Sequence, residues 1–150
     1  MNLSEKINND LKEALKSKDK LKLETIRSIR ALILEHEKSG KSKVLSPEDE
    51  INLLTSAAKK RKESIEQFRL GGRNDLADKE EKELEIIQSY LPKQLSEEEL
   101  KSVIKQIAEE IGAATKEDFS KLMPAAIKKL KGQADGKIIR SIVENYLSSR

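Results

Sequence analysis

The stretch INLLTSAAKKRKESIEQFRLGGRNDLADKEEKELEIIQSYL, residues 51–91, carries an apolar seam, a glycine pair and a second seam. Before the glycines the seam runs Ile51, Leu54, Ala58, Arg61, Ile65 and Phe68; after them it runs Ala77, Glu80, Leu84, Ile87 and Leu91. Steps of three and four keep side chains on one helix face. Folding two helices antiparallel about Gly71 and Gly72 sets Ile51 against Leu91, Leu54 against Ile87, Ala58 against Leu84 and Ile65 against Ala77. The same register brings Arg61 to Glu80, and an ion pair is expected there because either charge alone on a buried seam is costly. The alternative is that both snorkel to solvent at the seam's edge.

Working outward, the composition agrees with helices. Hydrophobic residues are 36% and charged residues 38% of the chain, and glycine and proline are few, a mixture suited to amphipathic helices. An all-α protein is expected, large enough for one ordinary domain or two small ones. Aromatics are 3% and tryptophan is absent, so platforms for stacking single-stranded bases lack raw material. Cysteine is absent, which removes disulfides, thiolate zinc sites and cysteine nucleophiles. The start MNLSEKINNDLKEALK is polar and amphipathic, unlike a secretory leader. The longest aliphatic run, Ala31 to Leu34, is far short of the roughly 18 residues a membrane span requires. A soluble, cytoplasmic protein with no membrane partner is expected.

Toward the N-terminus, Leu3, Ile7, Leu11 and Leu15 recur every fourth residue behind a cap at Ser4. A second helix is predicted over residues 20–38, with a broad stripe of Ile26, Ile29, Leu32, Ile33 and Leu34. Gly40 reads as its stop, and Ser46, Pro47 and Asp49 as the start of the hairpin's first helix. Pro92 ends the hairpin, and a domain boundary is placed there: an N-terminal helical domain over 1–92 and a small C-terminal helical bundle over 93–150. In the second, Ser96 and Glu99 form a capping signal ahead of a buried face of Leu100, Val103, Ile104, Ile107 and Ile111, ended by Gly112. Thr115 and Asp118 mark another start. Pro124 predicts a kink or a break between a turn near 116–122 and a helix near 124–130. Asp135 caps a last helix whose face is Ile138, Ile139, Ile142, Val143, Tyr146 and Leu147.

Chemistry-bearing patterns are few. His36 is the single histidine, and HEKSG lacks the second histidine of a helical zinc site, so it reads as a surface residue. Gly71-Gly72-Arg73 is followed by Asn-Asp-Leu rather than a lysine-serine pair, so it is a turn and not a phosphate loop. The carboxylates of DKEEKELE and SEEEL read as solvated helix faces. No catalytic residue, metal or cofactor is expected. Lys59, Lys60, Arg61 and Lys62 point around much of their helix, with Glu63 and Glu66 in reach for intrahelical pairs. Arg69 and Arg73 flank the glycines, either extending a basic surface or capping the helix end.

The net charge of +3 identifies no partner by itself, because clustering decides phosphate binding. From Lys121 to Arg140, six basic residues stand against one acid, Asp135. This island contains KGQADGKIIR, residues 131–140. Gly132 and Gly136 remove side chains where a backbone approaches closely or where positive φ is needed, and the amides opening the last helix can meet an anion. Lys131 and Lys137 flank that opening, with Lys128, Lys129 and Arg140 on neighbouring turns. Together they suit shape-led recognition of a folded RNA. The alternative is a helix stop, an eased turn and lysines that confer solubility.

Residues 59–100, KKRKESIEQFRLGGRNDLADKEEKELEIIQSYLPKQLSEEEL, and residues 128–147, KKLKGQADGKIIRSIVENYL, closely resemble the GatB/YqeY family, in particular its stand-alone YqeY-like members. The combination of the R-x-x-L-A-x-K-E-x-x-E-L run, the YLPKQLS junction and the KGxADGK segment is specific. The resemblance implies an all-helical protein whose C-terminal half is similar to the tail domain of the B subunit of the glutamine-dependent aminoacyl-tRNA amidotransferase. In that enzyme the tail contacts tRNA, while the catalytic machinery lies in another domain and the glutamine-hydrolysing site in another subunit. The implied function is a non-catalytic, tRNA-binding accessory role in tRNA-dependent amidation. Its partners would be tRNA and a tRNA-dependent amidotransferase or an aminoacyl-tRNA synthetase. Two alternatives stand beside it: a carbon-nitrogen ligase using glutamine as amido donor, and a protein-interaction adaptor docking through the N-terminal helices.

Overall fold

A computed structural model describes residues 2–39 and 44–149; Gly40, read above as a helix stop, lies outside them. The described residues form seven α-helices, one 3-10 turn and no strand: α1 Leu3–Ser17, α2 Lys20–Lys38, α3 Pro47–Leu70, α4 Asn74–Gln88, α5 Glu97–Ile111, α6 Phe119–Lys129 and α7 Gly136–Ser148. The fold is all-α. The chain divides into two compact units, Met1–Pro92 and Lys93–Arg150.

Local chemistry fixes the helix starts. Ser46 and Asp49 exchange side chain-to-backbone bonds ahead of α3, with Asp49 N–H donating to Ser46 Oγ at 3.0 Å and Ser46 N–H to Asp49 Oδ2 at 3.2 Å. Ser96 and Glu99 repeat the arrangement before α5. Each reciprocal pair satisfies amides that the first turn leaves without partners. At α1 the cap is Asn2, not Ser4: its Oδ1 accepts the Glu5 N–H at 2.9 Å.

In the first unit, Leu3, Ile7, Ile26, Ile29, Ile33, Leu54 and Ile87 are the large residues of the core. α3 and α4 pack along their lengths as the antiparallel hairpin. The Tyr90 hydroxyl donates to the Asp10 carboxylate, fastening the segment after α4 to α1. His36 is half-buried rather than on the surface, its Nε2 3.9 Å from Asp49 Oδ2 in the wall of a cleft of about 370 Å³. In the second unit, Leu100, Ile104, Ile107, Leu122, Leu130, Ile139, Val143 and Leu147 are buried together.

Several expected core positions are exposed. Leu15 is 51% accessible and Ala14 is buried in its place, because four-residue steps rotate about 40° further per turn than a 3.6-residue helix allows. Leu34, Ile111 and Ile138 are also exposed, at 43%, 41% and 47%. The predicted break at Pro124 does not occur: α6 runs through it. Pro124 and Ser120 both face solvent, so the carbonyl left without an amide partner can be hydrated instead.

Candidate nucleic-acid interface

The α6–α7 connection is built from the inside. Leu130 is buried and closes the end of α6, its N–H donating to the Ala126 carbonyl at 2.9 Å. Gly132 has φ +79°, a conformation that a Cβ disfavours. Its carbonyl accepts Gln94 Nε2 at 2.6 Å. The Leu95 N–H donates to the Gln133 carbonyl at 3.0 Å, and Gln133 Nε2 to the Lys93 carbonyl at 3.3 Å. The junction after Pro92 and the glycine-containing turn are therefore stitched together. Spacing along the chain did not reveal this, because the partners stand about 40 residues apart.

The two glycines differ. Gly132 is required by the turn, whereas a Cβ at Gly136 would meet nothing within 4 Å, and its φ is not in the left-handed range. The amides at the start of α7 are already engaged. Asp135 Oδ1 accepts the Lys137 N–H at 2.9 Å, and the Asp135 carbonyl accepts those of Ile138 and Ile139, each at 3.1 Å. Asp135 thus fills the opening that the sequence suggested for an anion.

What remains for phosphate is the side chains. Lys128, Lys129 and Lys137 are exposed and form no ion pair among the described residues; Lys131 is half-buried. Lys128 and Lys129 occupy the last turn of α6, where cations also complement the helix dipole. Arg140 is engaged: its Nε donates to Glu144 Oε1 at 2.8 Å, and its guanidinium lies 5.8 Å from the Phe119 ring centroid.

The arginines of the hairpin are paired with acids, whereas Lys59, Lys60 and Lys62 form no ion pair among the described residues. Arg61 Nε lies 3.4 Å from Glu80 Oε2 and 3.3 Å from Glu83 Oε2. Glu83 went unnoticed in the sequence, although it stands one turn after Glu80. Arg69 donates to Glu81 at 2.6 Å and to Asp78 at 3.1 Å, which removes it from a basic surface. Arg73 is bound to Asp75 at 3.2 Å, holding that carboxyl below its usual range. The pairs expected of Glu63 and Glu66 with Lys59 and Lys62 do not form among the described residues.

A family model described as Yqey-like protein matches residues 4–147. A protein of Pyrenophora tritici-repentis named altered inheritance of mitochondria protein 41, mitochondrial, is 29% identical over 145 residues, covering 94% of this chain and 78% of its own length. The protein of that name from Vanderwaltozyma polyspora is 30% identical over 145 residues, 91% of this chain and 78% of its own. The one from Candida glabrata is 40% identical over 83 residues, 55% of this chain, and there the match spans 46% of the relative's length. The cytoplasmic expectation is overturned by these relatives, which are named as mitochondrial proteins. A polar start, and the fact that no described helix is long and apolar enough to cross a membrane, do not distinguish the two compartments. Over nearly its whole length, the chain belongs to the Yqey-like protein family.

Proposed function

We propose that the protein is a tRNA-binding accessory factor that serves tRNA-dependent amidation by holding tRNA rather than by catalysing a step. The observation that carries this reading is the set of exposed lysines at the α6–α7 connection, Lys128, Lys129 and Lys137, without acidic partners among the described residues. Lys131 adds its charge beside them, on a turn that the bonds to residues 93–95 hold in place. Ammonium groups fixed on a rigid turn bind backbone phosphates without reading bases. Arg140, committed to Glu144 and Phe119, contributes less. Gly132 acts through the turn's shape and Gly136 by leaving the approach to Lys137 open. The partner that goes with this reading is a tRNA-dependent amidotransferase or an aminoacyl-tRNA synthetase, and the location is that of the mitochondrial relatives.

The test is a salt-titrated binding assay of the full chain with total tRNA. Replacing Lys128, Lys129, Lys131 and Lys137 together by glutamine is expected to weaken binding about tenfold or more at low salt while the helical spectrum is kept. Undiminished affinity would refute the assignment. Amide formation on mischarged tRNA by the purified chain, given ATP and glutamine, would favour the ligase reading instead.

A further inference from the structure

The turn between α1 and α2 carries a second cationic cluster that the C-terminal island does not account for. Residues 16–22 read KSKDKLK, placing Lys16, Lys18, Lys20 and Lys22 around one acid, Asp19. That acid is turned to the backbone, where its Oδ1 accepts the Lys22 N–H at 3.1 Å as the cap of α2. Lys16, Lys18 and Lys20 are exposed, and none of the four lysines forms an ion pair among the described residues. The same unit pairs Arg61, Arg69, Arg73 and Lys79 with acids, while Arg27, Arg30, Lys59, Lys60 and Lys62, spread along helices, also form no ion pair among the described residues.

The backbone supplies an independent observation. Lys18 caps α1 at φ 59° and ψ 28°, its N–H donating to the Ala14 carbonyl. Among the described residues it is the one non-glycine with positive φ; Gly112 fills the equivalent place after α5. A left-handed cap strains any residue with a Cβ, and strain of this kind concentrates where a side chain has work beyond the fold.

We infer that the α1–α2 turn is a second RNA contact, in which Lys16, Lys18 and Lys20 bind backbone phosphates of the same folded RNA. This rests on the RNA-binding reading above. Compact ammonium charges on an exposed turn suit phosphates. A membrane surface would require an apolar stripe beside them, and here the exposed large apolar residue is Leu15 alone.

The experiment measures tRNA binding by fluorescence anisotropy at several salt concentrations, using the full chain. Compared are the Lys16→Gln, Lys18→Gln, Lys20→Gln triple variant, the C-terminal lysine variant described above, and Lys18→Gly. The triple variant is expected to weaken binding about tenfold at low salt and to lower the salt slope by about one for each lysine that contacts phosphate. Lys18→Gly is expected to raise the unfolding midpoint and yet weaken binding, a combination that a purely structural lysine cannot give. An unchanged affinity in the triple variant, with loss in the C-terminal variant, overturns the turn's role and leaves the proposed function standing. Loss only in the triple variant supports the turn and removes the C-terminal site. Wild-type chain that fails to bind tRNA refutes both. Loss of binding to phosphatidylglycerol vesicles with tRNA affinity unchanged would assign the lysines to a lipid surface and overturn the inference.

Discussion

Arg61 stands beside two carboxylates at once, Glu80 at 3.4 Å and Glu83 at 3.3 Å, and Glu83 is only 9% exposed. Two acids around one guanidinium leave a surplus negative charge inside the hairpin, so burial and then Glu80 push the Glu83 carboxyl above its usual range, while Arg61 pulls it back. Folding therefore favours the protonated form. The sign follows: Glu83 contributes its stability fully below the unfolded-chain pKa, and that contribution is lost as pH rises through the raised folded value. Glu83→Gln keeps the uncharged form at every pH and leaves Arg61 its partner Glu80. It is expected to raise stability at pH 7 and to flatten the decline as pH rises above the ordinary glutamate range. Urea unfolding followed by circular dichroism at several pH values measures both effects. Arg61→Met acts in the other direction, leaving two facing carboxylates without a counter-charge. The expected loss is about 2 kcal/mol at pH 7, partly recovered in acid, and an unchanged urea midpoint would contradict this account.

At the scale of helices, α6 is the element whose reading failed in an instructive way. Pro124 was expected to kink or break it; the helix is not broken, because the missing amide bond falls on a face open to water. Restoring that bond with Pro124→Ala should stabilise the second unit by about 1 to 2 kcal/mol, the helix gain being offset in part by a more flexible unfolded chain. Hydrogen exchange of the α6 amides reports this directly, and faster exchange in the variant would contradict it. Gly132→Ala should cost about 1 kcal/mol because its φ of +79° is left-handed. By the same measurement Gly136→Ala should be close to neutral. Caps and seams were legible in the sequence because they are local: Ser46 with Asp49 and Ser96 with Glu99 lie within one turn of each other. The Arg61 register was legible because a glycine pair fixes where the hairpin folds back. What could not be read was how far a long side chain reaches across the seam, which is why Arg69 finds Asp78 and Glu81. Nor could spacing foretell that Gln94 binds the Gly132 carbonyl, since no local period links them. Ile111 is exposed because it ends α5, and Ile138 because it lies about 140° around α7 from the buried Val143, off the stripe of Ile139, Ile142, Val143 and Leu147.

For the molecule as a whole, 30 cations stand against 27 acids, and a difference this small gives little long-range attraction to a polyanion. Affinity for RNA must then come from the cations that the fold leaves without acids, and pairing decides which these are. Arg61, Arg69, Arg73 and Arg140 are each bound to carboxylates, so these four are largely withdrawn, whereas Arg27, Arg30 and lysines such as Lys128, Lys129 and Lys137 form no ion pair among the described residues. Counterion release turns this into a number. If only Lys128, Lys129 and Lys137 meet phosphates, the logarithm of the binding constant should fall with the logarithm of salt concentration with a slope of about −3; adding Lys16, Lys18 and Lys20 steepens it to about −5. Isothermal titration of the full chain with tRNA at several potassium chloride concentrations gives the slope without any variant. A value near zero would mean that binding owes nothing to these lysines, whereas the steeper value, lowered by about one for each lysine replaced in either set, is the outcome expected when both sets touch RNA at the same time.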